Sequence, residues 1–296
     1  MNKKILLVGA HGYVGSRFIE RCKDKYNLKC IDSLLKKGEL PDYIEHKDYR
    51  AMTKSELKEF DICLWVAGYS SVPLSKANPV DCYENNYSGL VDFTNKFDGK
   101  LIYASSGSVY ANADGAICDE NTPIGMPQNI YDYTKVAFDH YMEVMNKDYV
   151  SLRFGTVDGG SPRIREEVLL NRMVKDALID KEVNLANPKA NRGVLYIEDL
   201  IDALELIIDN PPKKSEIFNC GYGKGFSVMD VVNTMNDILK RPLPTVIGKH
   251  RQNDITSSVA DIKKFKKYFS WKPKYSSLKF ILKTSYEWEK KLSSFF

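Results

Sequence analysis

The 296-residue sequence predicts an α/β fold: a doubly wound parallel sheet with helices on both faces, followed by a smaller C-terminal lobe. Three observations carry this. Strand-like runs alternate with helix-period segments through the first half, the pattern of a parallel sheet. Residues 61–67 (DICLWVA) are almost unbroken apolar, as expected of a strand buried on both faces. The first run, ending at Val8, leads into Gly9, Gly12 and Gly15 at three-residue spacing, and apolar residues then recur at helical intervals (Val14, Phe18, Ile19, Cys22).

That opening reads as strand, tight turn, helix. Gly9 permits the turn, Gly12 lets a pyrophosphate approach the backbone, and Gly15 lets helix and strand pack closely. The helix N-terminus, with Tyr13 and Val14 in its first turn, offers N–H groups and a positive dipole end to phosphates. A glycine pattern alone can be no more than a flexible turn. Here a second short strand, residues 29–32, ends in Asp32, seventeen residues past Gly15. That is the Rossmann-type arrangement, with Asp32 and the adjacent Ser33 placed at the ribose hydroxyls. Asp32 would repel a ribose phosphate, so NAD is expected over NADP, a preference moderated by Lys36 and Lys37. The domain reading is an NAD-binding domain at 1–155 and a mainly substrate-binding lobe at 156–296, with about 192–220 returning to the sheet.

Composition excludes several classes. Hydrophobic content of 43% and charge of 28% are ordinary for a globular protein, and a net charge of +4 is too small to argue for nucleic acid. It suits an anionic small substrate. The six cysteines show no C-x-x-C pair and no metal-ligand spacing, so reduced core thiols in a cytoplasm, and no metal, are expected. The N-terminal apolar run is too short for a signal peptide or a membrane span.

Taken in order, residues 42–46 read as a third strand and residues 61–67 as a fourth. Residues 79–97 read as one long helix and residues 100–105 as the next strand, which stops in a serine cluster. Pro123 and Pro127 keep residues 111–128 irregular. Residues 129–147 read as a helix and 150–154 as a sixth strand. Beyond it, helices are expected at 166–181, 228–239 and 278–292, a strand and helix at 194–208, and a strand at 217–220.

Tyr131 and Lys135 form a Y-x-x-x-K pair on one face of a helix. The sequence holds five such pairs, and context selects this one. Only here does the helix follow a buried strand ending in serines, at the sheet edge where open α/β proteins bind ligands. A phenol with a pKa near 10 is a poor base at neutral pH, and an adjacent ammonium favours its ionised form. Tyr131 can then take the proton of a substrate hydroxyl while Ser106 hydrogen-bonds the same oxygen.

With these residues in hand, the chain resembles, over nearly its whole length, the extended short-chain dehydrogenase/reductase family of nucleotide-sugar epimerases and dehydratases. GAHGYVG at 9–15, Asp32, SSGSVY at 105–110, DENTP at 119–123 and YDYTK at 131–135 follow in family order. The resemblance implies catalytic Ser106, Tyr131 and Lys135, with Tyr131 and Lys135 also meeting the cofactor. It places Asp48 and Tyr49 at the adenine, Ala67, Gly68 and Asn86 along the cofactor, and Phe154 near the nicotinamide. For substrate it implies Ser70, Ser106, Thr156 and Asn171, with Arg192 and Arg251 on the diphosphate, where planar guanidinium donors engage two oxygens at once. Arg163 and Arg165 stand at the lobe entrance. The resemblance also implies a homodimer built on the helices at 79–97 and 129–147.

Departures from the family pattern choose among its reactions. The dehydratases place Asp and then Glu after the residue at Ser106, and this chain has Gly107 and Ser108. Decarboxylating members place Glu at Ser108, and GDP-fucose synthases place Cys there. Elimination, decarboxylation and C3/C5 proton exchange therefore lack their groups, and hydride transfer at C4 survives. The leading expectation is an NAD-dependent 4-epimerase of a nucleotide-diphosphate sugar. The alternative is a nucleotide-sugar C4 dehydrogenase or 4-keto sugar reductase. A non-catalytic NAD-binding sensor ranks below both, because a sensor needs no intact Ser106, Tyr131 and Lys135. Ala111, where many relatives have glycine, leaves the sugar and the base open.

Overall fold

A computed structural model describes residues 3–33, 39–110, 116–165, 168–185, 187–248 and 257–293. Lys36, Lys37, Ala111 and Arg251 lie outside the described residues. The strands are β1 (Lys4–Val8), β2 (Asn27–Asp32), β3 (Glu45–His46), β4 (Ile62–Trp65), β5 (Lys100–Ser106), β6 (Tyr149–Phe154), β7 (Thr156–Asp158), β8 (Val183–Leu185), β9 (Asn191–Tyr196), β10 (Glu216–Cys220), β11 (Gly225–Ser227), β12 (Thr245–Ile247) and β13 (Ser257–Ser258). The helices are α1 (Tyr13–Cys22), α2 (Lys54–Leu57), α3 (Val72–Ala77), α4 (Pro79–Tyr83), α5 (Gly89–Lys96), α6 (Ile130–Val144), α7 (Leu169–Leu178), α8 (Ile197–Asp209), α9 (Val228–Leu239), α10 (Lys263–Phe269) and α11 (Leu278–Ser293). Among the described residues no helix is long and apolar enough to cross a membrane.

The chain divides into two compact units. The first holds residues 1–109, 127–153 and 204–218, and the second holds the rest. The first is built on a seven-stranded sheet of order β10-β6-β5-β4-β1-β2-β3. Its parallel pairings set Val8 beside Ile31 of β2 on one side and Trp65 of β4 on the other. The strand order reverses between β1 and β4, which is where open α/β sheets bind ligands. This is the Rossmann-type architecture. Trp65, Tyr103, Phe93 and Phe138 fill the core beneath it, with Trp65 edge-on to Tyr49 (centroids 4.6 Å apart) and Tyr103 edge-on to Phe138 (4.6 Å). Each such ring contributes roughly 1.5–3 kcal/mol by leaving water.

The helix expected at 79–97 forms as α4, a π-helical turn (Glu84–Ser88) and α5 in direct succession. The extra residue of the π turn follows from side chains that satisfy backbone groups of other segments. Tyr49 Oη donates to Asn85 O at 3.1 Å, and Asn86 bonds the backbone of Tyr69 on both sides. The strand expected at 42–46 shrinks to Glu45–His46, because Pro41 O accepts the Ile44 N–H in a turn just before it. Asn129 caps the start of α6 by accepting the Asp132 N–H at 3.0 Å, and the left-handed Asn146 (φ 48°) follows its C-terminal end.

The second unit is organised on a sheet of order β11-β9-β13, with β7 pairing β9 in parallel. Of the span at about 192–220 expected to return to the central sheet, β9 instead belongs here, and β10 is the strand that joins the sheet. Residue size explains the pairing. A Cβ at Gly155 would stand 2.4 Å from Gly193 O, so only glycine lets the two backbones run this close. Residues 110–126 also sit in this unit. The helix expected at 166–181 is α7, ending before the left-handed Asp180 (φ 53°), while residues 166–167 lie outside the described residues. The helix expected at 228–239 is α9, opened by a capping box in which Ser227 and Asp230 bond each other's backbone N–H.

Candidate active site

In the first unit the glycine turn sits at the reversal point of the sheet. Gly9 holds φ 88°, and a Cβ there would stand 2.6 Å from Ala67 Cα, just past β4. A Cβ at Gly15 would stand 2.2 Å from Gly9 O, so this glycine sets how closely α1 lies on β1. Gly12 differs. Its Cβ would meet only Gly9 O, at 3.2 Å, and the surrounding space is open. No side chain caps α1 at Gly12 and no acid stands in its first turn, so the positive helix end keeps its electrostatic character. Tyr13 is buried and Val14 half-buried in that turn. Asp32 ends β2 beside the turn, and its Oδ2 accepts the His11 N–H at 2.9 Å. Ser33 follows it, half-buried.

Past β4, Ala67 and Gly68 serve packing first. Gly68 holds φ 132°, and its Cβ would lie 2.5 Å from Asn86 Oδ1. Asn86 is buried, with Oδ1 taking the Tyr69 N–H and Nδ2 donating to Tyr69 O, both at 2.8 Å. It clamps the loop that carries the exposed Ser70. Asp48 accepts from Arg50 through both carboxylate oxygens and caps the short turn after it, and that guanidinium holds its carboxyl below the usual range. The Tyr49 ring is buried against Trp65 and Phe93, and burial pushes its hydroxyl up to about 12.

Ser106, Tyr131 and Lys135 come together where β5 ends beneath α6. Lys135, 5% exposed, donates through Nζ to Ala104 O at 2.8 Å, two residues before Ser106. The same Nζ lies 4.6 Å from the centre of the Tyr103 ring and 5.7 Å from that of Tyr131. The ammonium is thus pinned to the strand and faces the half-buried phenol one helical turn back. Below it, Asp139 is fully buried and gathers Arg153 Nε (3.0 Å), Ser151 Oγ (2.7 Å) and Ser105 Oγ (3.2 Å). Removing one partner of such a buried pair costs about 3–5 kcal/mol, so this network fixes β5, β6 and α6 to one another.

The sequence reading passes over two acids of α6, Asp132 and Asp139. Their spacing was the available signal. With Lys135 they fall at i, i+3 and i+7, one helical face that the fold buries. Asp132 accepts from Asn129 Nδ2 at 2.6 Å, and its Oδ1 has no hydrogen-bond partner among the described residues. Ser108 touches Ser106, Oγ to Oγ at 2.9 Å.

The second unit carries the remaining expected residues. Phe154 is half-buried at the end of β6, and Thr156 opens β7. Asn171 is buried on α7, and its Nδ2 donates to Arg165 O at 3.0 Å, tying down the loop that also holds Arg163. Arg192 lies half-buried on β9, with Nη1 donating to Asn191 O at 3.1 Å. Among the described residues no group of three or more His, Cys, Asp or Glu side chains could hold a metal ion.

Known proteins share this sequence and fold along the whole chain. UDP-glucose 4-epimerase of Halalkalibacterium halodurans is 27% identical over 97% of this chain and 95% of its own. That of Lactobacillus helveticus is 25% identical over 97% of each. The solved UDP-glucose-4-epimerase from Stenotrophomonas maltophila with bound NAD and formylated UDP-arabinopyranose has a TM-score of 0.89 at 19% identity, covering 99% of this chain and 100% of that one. Residues 5–221, which take in the glycine turn, Asp32, Ser106, Tyr131, Lys135 and Arg192, match one family throughout, and the chain belongs to it: the NAD dependent epimerase/dehydratase family.

Proposed function

We propose that the protein is an NAD-dependent 4-epimerase of a UDP-linked sugar. The observation that carries this reading is Lys135, pinned to Ala104 O at 2.8 Å and facing Tyr131 beside Ser106, with no acid at Gly107 or Ser108. The residues present fit the cofactor. The space beside Gly12 and the uncapped start of α1 suit a pyrophosphate, and Asp32 presents a carboxylate to ribose hydroxyls. When bound, NAD supplies a reversible hydride acceptor.

The rest falls to the chain's own side chains. Tyr131, with its ionised form favoured by the neighbouring ammonium, takes the proton of the C4 hydroxyl and later returns it. Ser106 hydrogen-bonds the same oxygen, and Lys135 holds the phenol's charge and reaches the nicotinamide ribose. Arg192 and Arg251 bind the diphosphate. Inversion requires the sugar to be held by its diphosphate rather than by the reacting ring, which guanidinium groups can do. The curated relatives named UDP-glucose 4-epimerase support the UDP-sugar class.

The reading extends to a cytoplasmic homodimer. Six free, buried cysteines agree with a reducing compartment, and the apolar surface of α4 and α6 agrees with a partner. The test of the reaction is a substrate deuterated at C4. Label retained at C4 of the inverted sugar, with flat nicotinamide absorbance, is expected. Label passing into free reduced nicotinamide would replace the epimerase by the C4 dehydrogenase.

A further inference from the structure

Lys135 carries a charge that the fold has taken out of water, since the residue is only 5% exposed. A buried ammonium needs partners that favour its charged form. One is Ala104 O, at 2.8 Å. Another is the ring of Tyr103, over whose centre the same Nζ lies at 4.6 Å. Side chains alternate along a strand, so Tyr103 and Ser105 of β5 both turn toward α6, where Phe138 and Asp139 meet them. Phe138 lies one turn past Lys135 on the same helical face and packs edge-on to Tyr103, ring centres 4.6 Å apart. The Tyr103 ring is fully buried and held in place from that side.

We infer that Tyr103 is a positioning residue, whose ring face keeps the Lys135 ammonium charged and in place opposite the phenol of Tyr131. A cation within about 6 Å of a ring centre is drawn to the negative face of the ring, and the attraction grows when water is excluded. The ring carries no net charge, so it shelters the ammonium without cancelling the field that Lys135 applies to Tyr131. A carboxylate in the same place would steady the ammonium too, but its own charge would oppose ionisation of the phenol. The Tyr103 hydroxyl contributes nothing to this. Among the described residues its Oη meets no hydrogen-bond partner, and burial pushes it well above its ordinary range. Around the pair, Asp139 of α6 is matched by Arg153 of β6, and burial pushes the Cys82 thiol of α4 up, so that it stays neutral. Neither competes with the phenol for the ammonium.

The inference rests on the epimerase reading, since it needs Tyr131 to take a proton. It is tested by the pH profile of kcat in Tyr103→Phe and Tyr103→Leu, with Tyr131→Phe as the control. Phenylalanine keeps the ring face and sheds the buried hydroxyl. Its kcat is expected within about twofold of wild type, with an unmoved profile and an equal or higher Tm. Leucine fills much of the space but has no π face. The ammonium then holds its charge less well and the phenol ionises at higher pH, so the acidic limb is expected to move up by about one pH unit. On that limb kcat should fall roughly tenfold. Lost packing alone would lower Tm and leave the limb where it is. An unmoved limb in Tyr103→Leu, or a shift in Tyr103→Phe as large as that in Tyr103→Leu, would overturn the inference. Should Tyr103→Leu not fold, Tyr103→Met, whose flexible side chain fills the same gap, decides by the same limb. An inactive Tyr131→Phe beside an unmoved limb in Tyr103→Leu removes the role of Tyr103 and leaves the epimerase reading standing. An active Tyr131→Phe removes the reading itself.

Discussion

At the scale of single residues, two side chains make opposite demands on their surroundings. Tyr131 needs a neighbouring cation, and Lys135 supplies one whose place is set by Ala104 O. Tyr131→Phe is therefore expected to lower turnover by about 10²–10⁴-fold while NAD affinity and Tm stay near wild type, since only the proton-accepting oxygen is lost. Lys135→Ala is expected to lower both turnover and NAD affinity, read by steady-state kinetics and calorimetry. Asp158, in the second unit, is in the reverse position. It is fully buried, and burial pushes its carboxyl from 3.8 up to about 7, against bonds from Ser285 and the Gly159 N–H and with the charge of Glu289 raising it further. The folded chain then binds more protons there than the unfolded chain, so this residue's contribution to stability falls as pH climbs from about 4 to about 7 and is level above that. Asp158→Asn, which mimics the protonated acid, is expected to raise stability at pH 8 by on the order of a few kcal/mol, and the gain should vanish near pH 4. Denaturant melts at the two pH values check it, and an equal effect at both would refute the burial argument.

At the scale of elements, the three glycines of the opening turn carry separable duties that their even spacing conceals. Gly15→Ala would drive a Cβ to 2.2 Å from Gly9 O and push α1 off β1, an overpacking cost of about 1–3 kcal/mol visible as a lower Tm. Gly12→Ala meets nothing closer than 3.2 Å, so the fold is expected to keep its Tm while NAD affinity falls. Loss of Tm in Gly12→Ala, or retention in Gly15→Ala, would reverse these assignments. The turn itself was legible because strand, glycines, helix and Asp32 are all local. So were α6 and α9, whose apolar periodicity agrees with their caps. What was not legible depends on partners distant in sequence. The π turn at Glu84–Ser88 exists because Asn86 reaches the Tyr69 backbone and Tyr49 reaches Asn85, contacts that no helical period announces. The burial of Tyr49 likewise depends on Trp65 and Phe93, aromatic partners well along the chain. Asp139 escaped notice because its partner, Arg153, lies on β6.

At the scale of the whole molecule, strand alternation sufficed to foresee the central sheet, because each parallel crossover leaves its own helix in the sequence. It did not foresee that β9 pairs with β7, since that pairing turns on two glycines some forty residues apart, Gly155 and Gly193. Assembly is the remaining question at this scale. On the first unit, α4 and α6 pack side by side and present apolar groups outward: Val80 is 65% exposed, Tyr133 46% and Val144 82%. Tyr83, at the end of α4, and Tyr87, in the π turn after it, have ring centres 5.5 Å apart. Aromatic residues flanked by aliphatic ones are the composition of an interface core rather than of a free surface. A second copy is the simplest occupant, because a two-fold contact needs only one such patch to complement itself. The protein is expected to be a dimer by light scattering at micromolar concentration. Tyr133→Glu with Val144→Glu should give a folded monomer of unchanged secondary structure, since both side chains point to solvent within one copy and a carboxylate desolvated in the contact would oppose association. A wild-type monomer, or a double variant that remains dimeric, would remove this face as the contact.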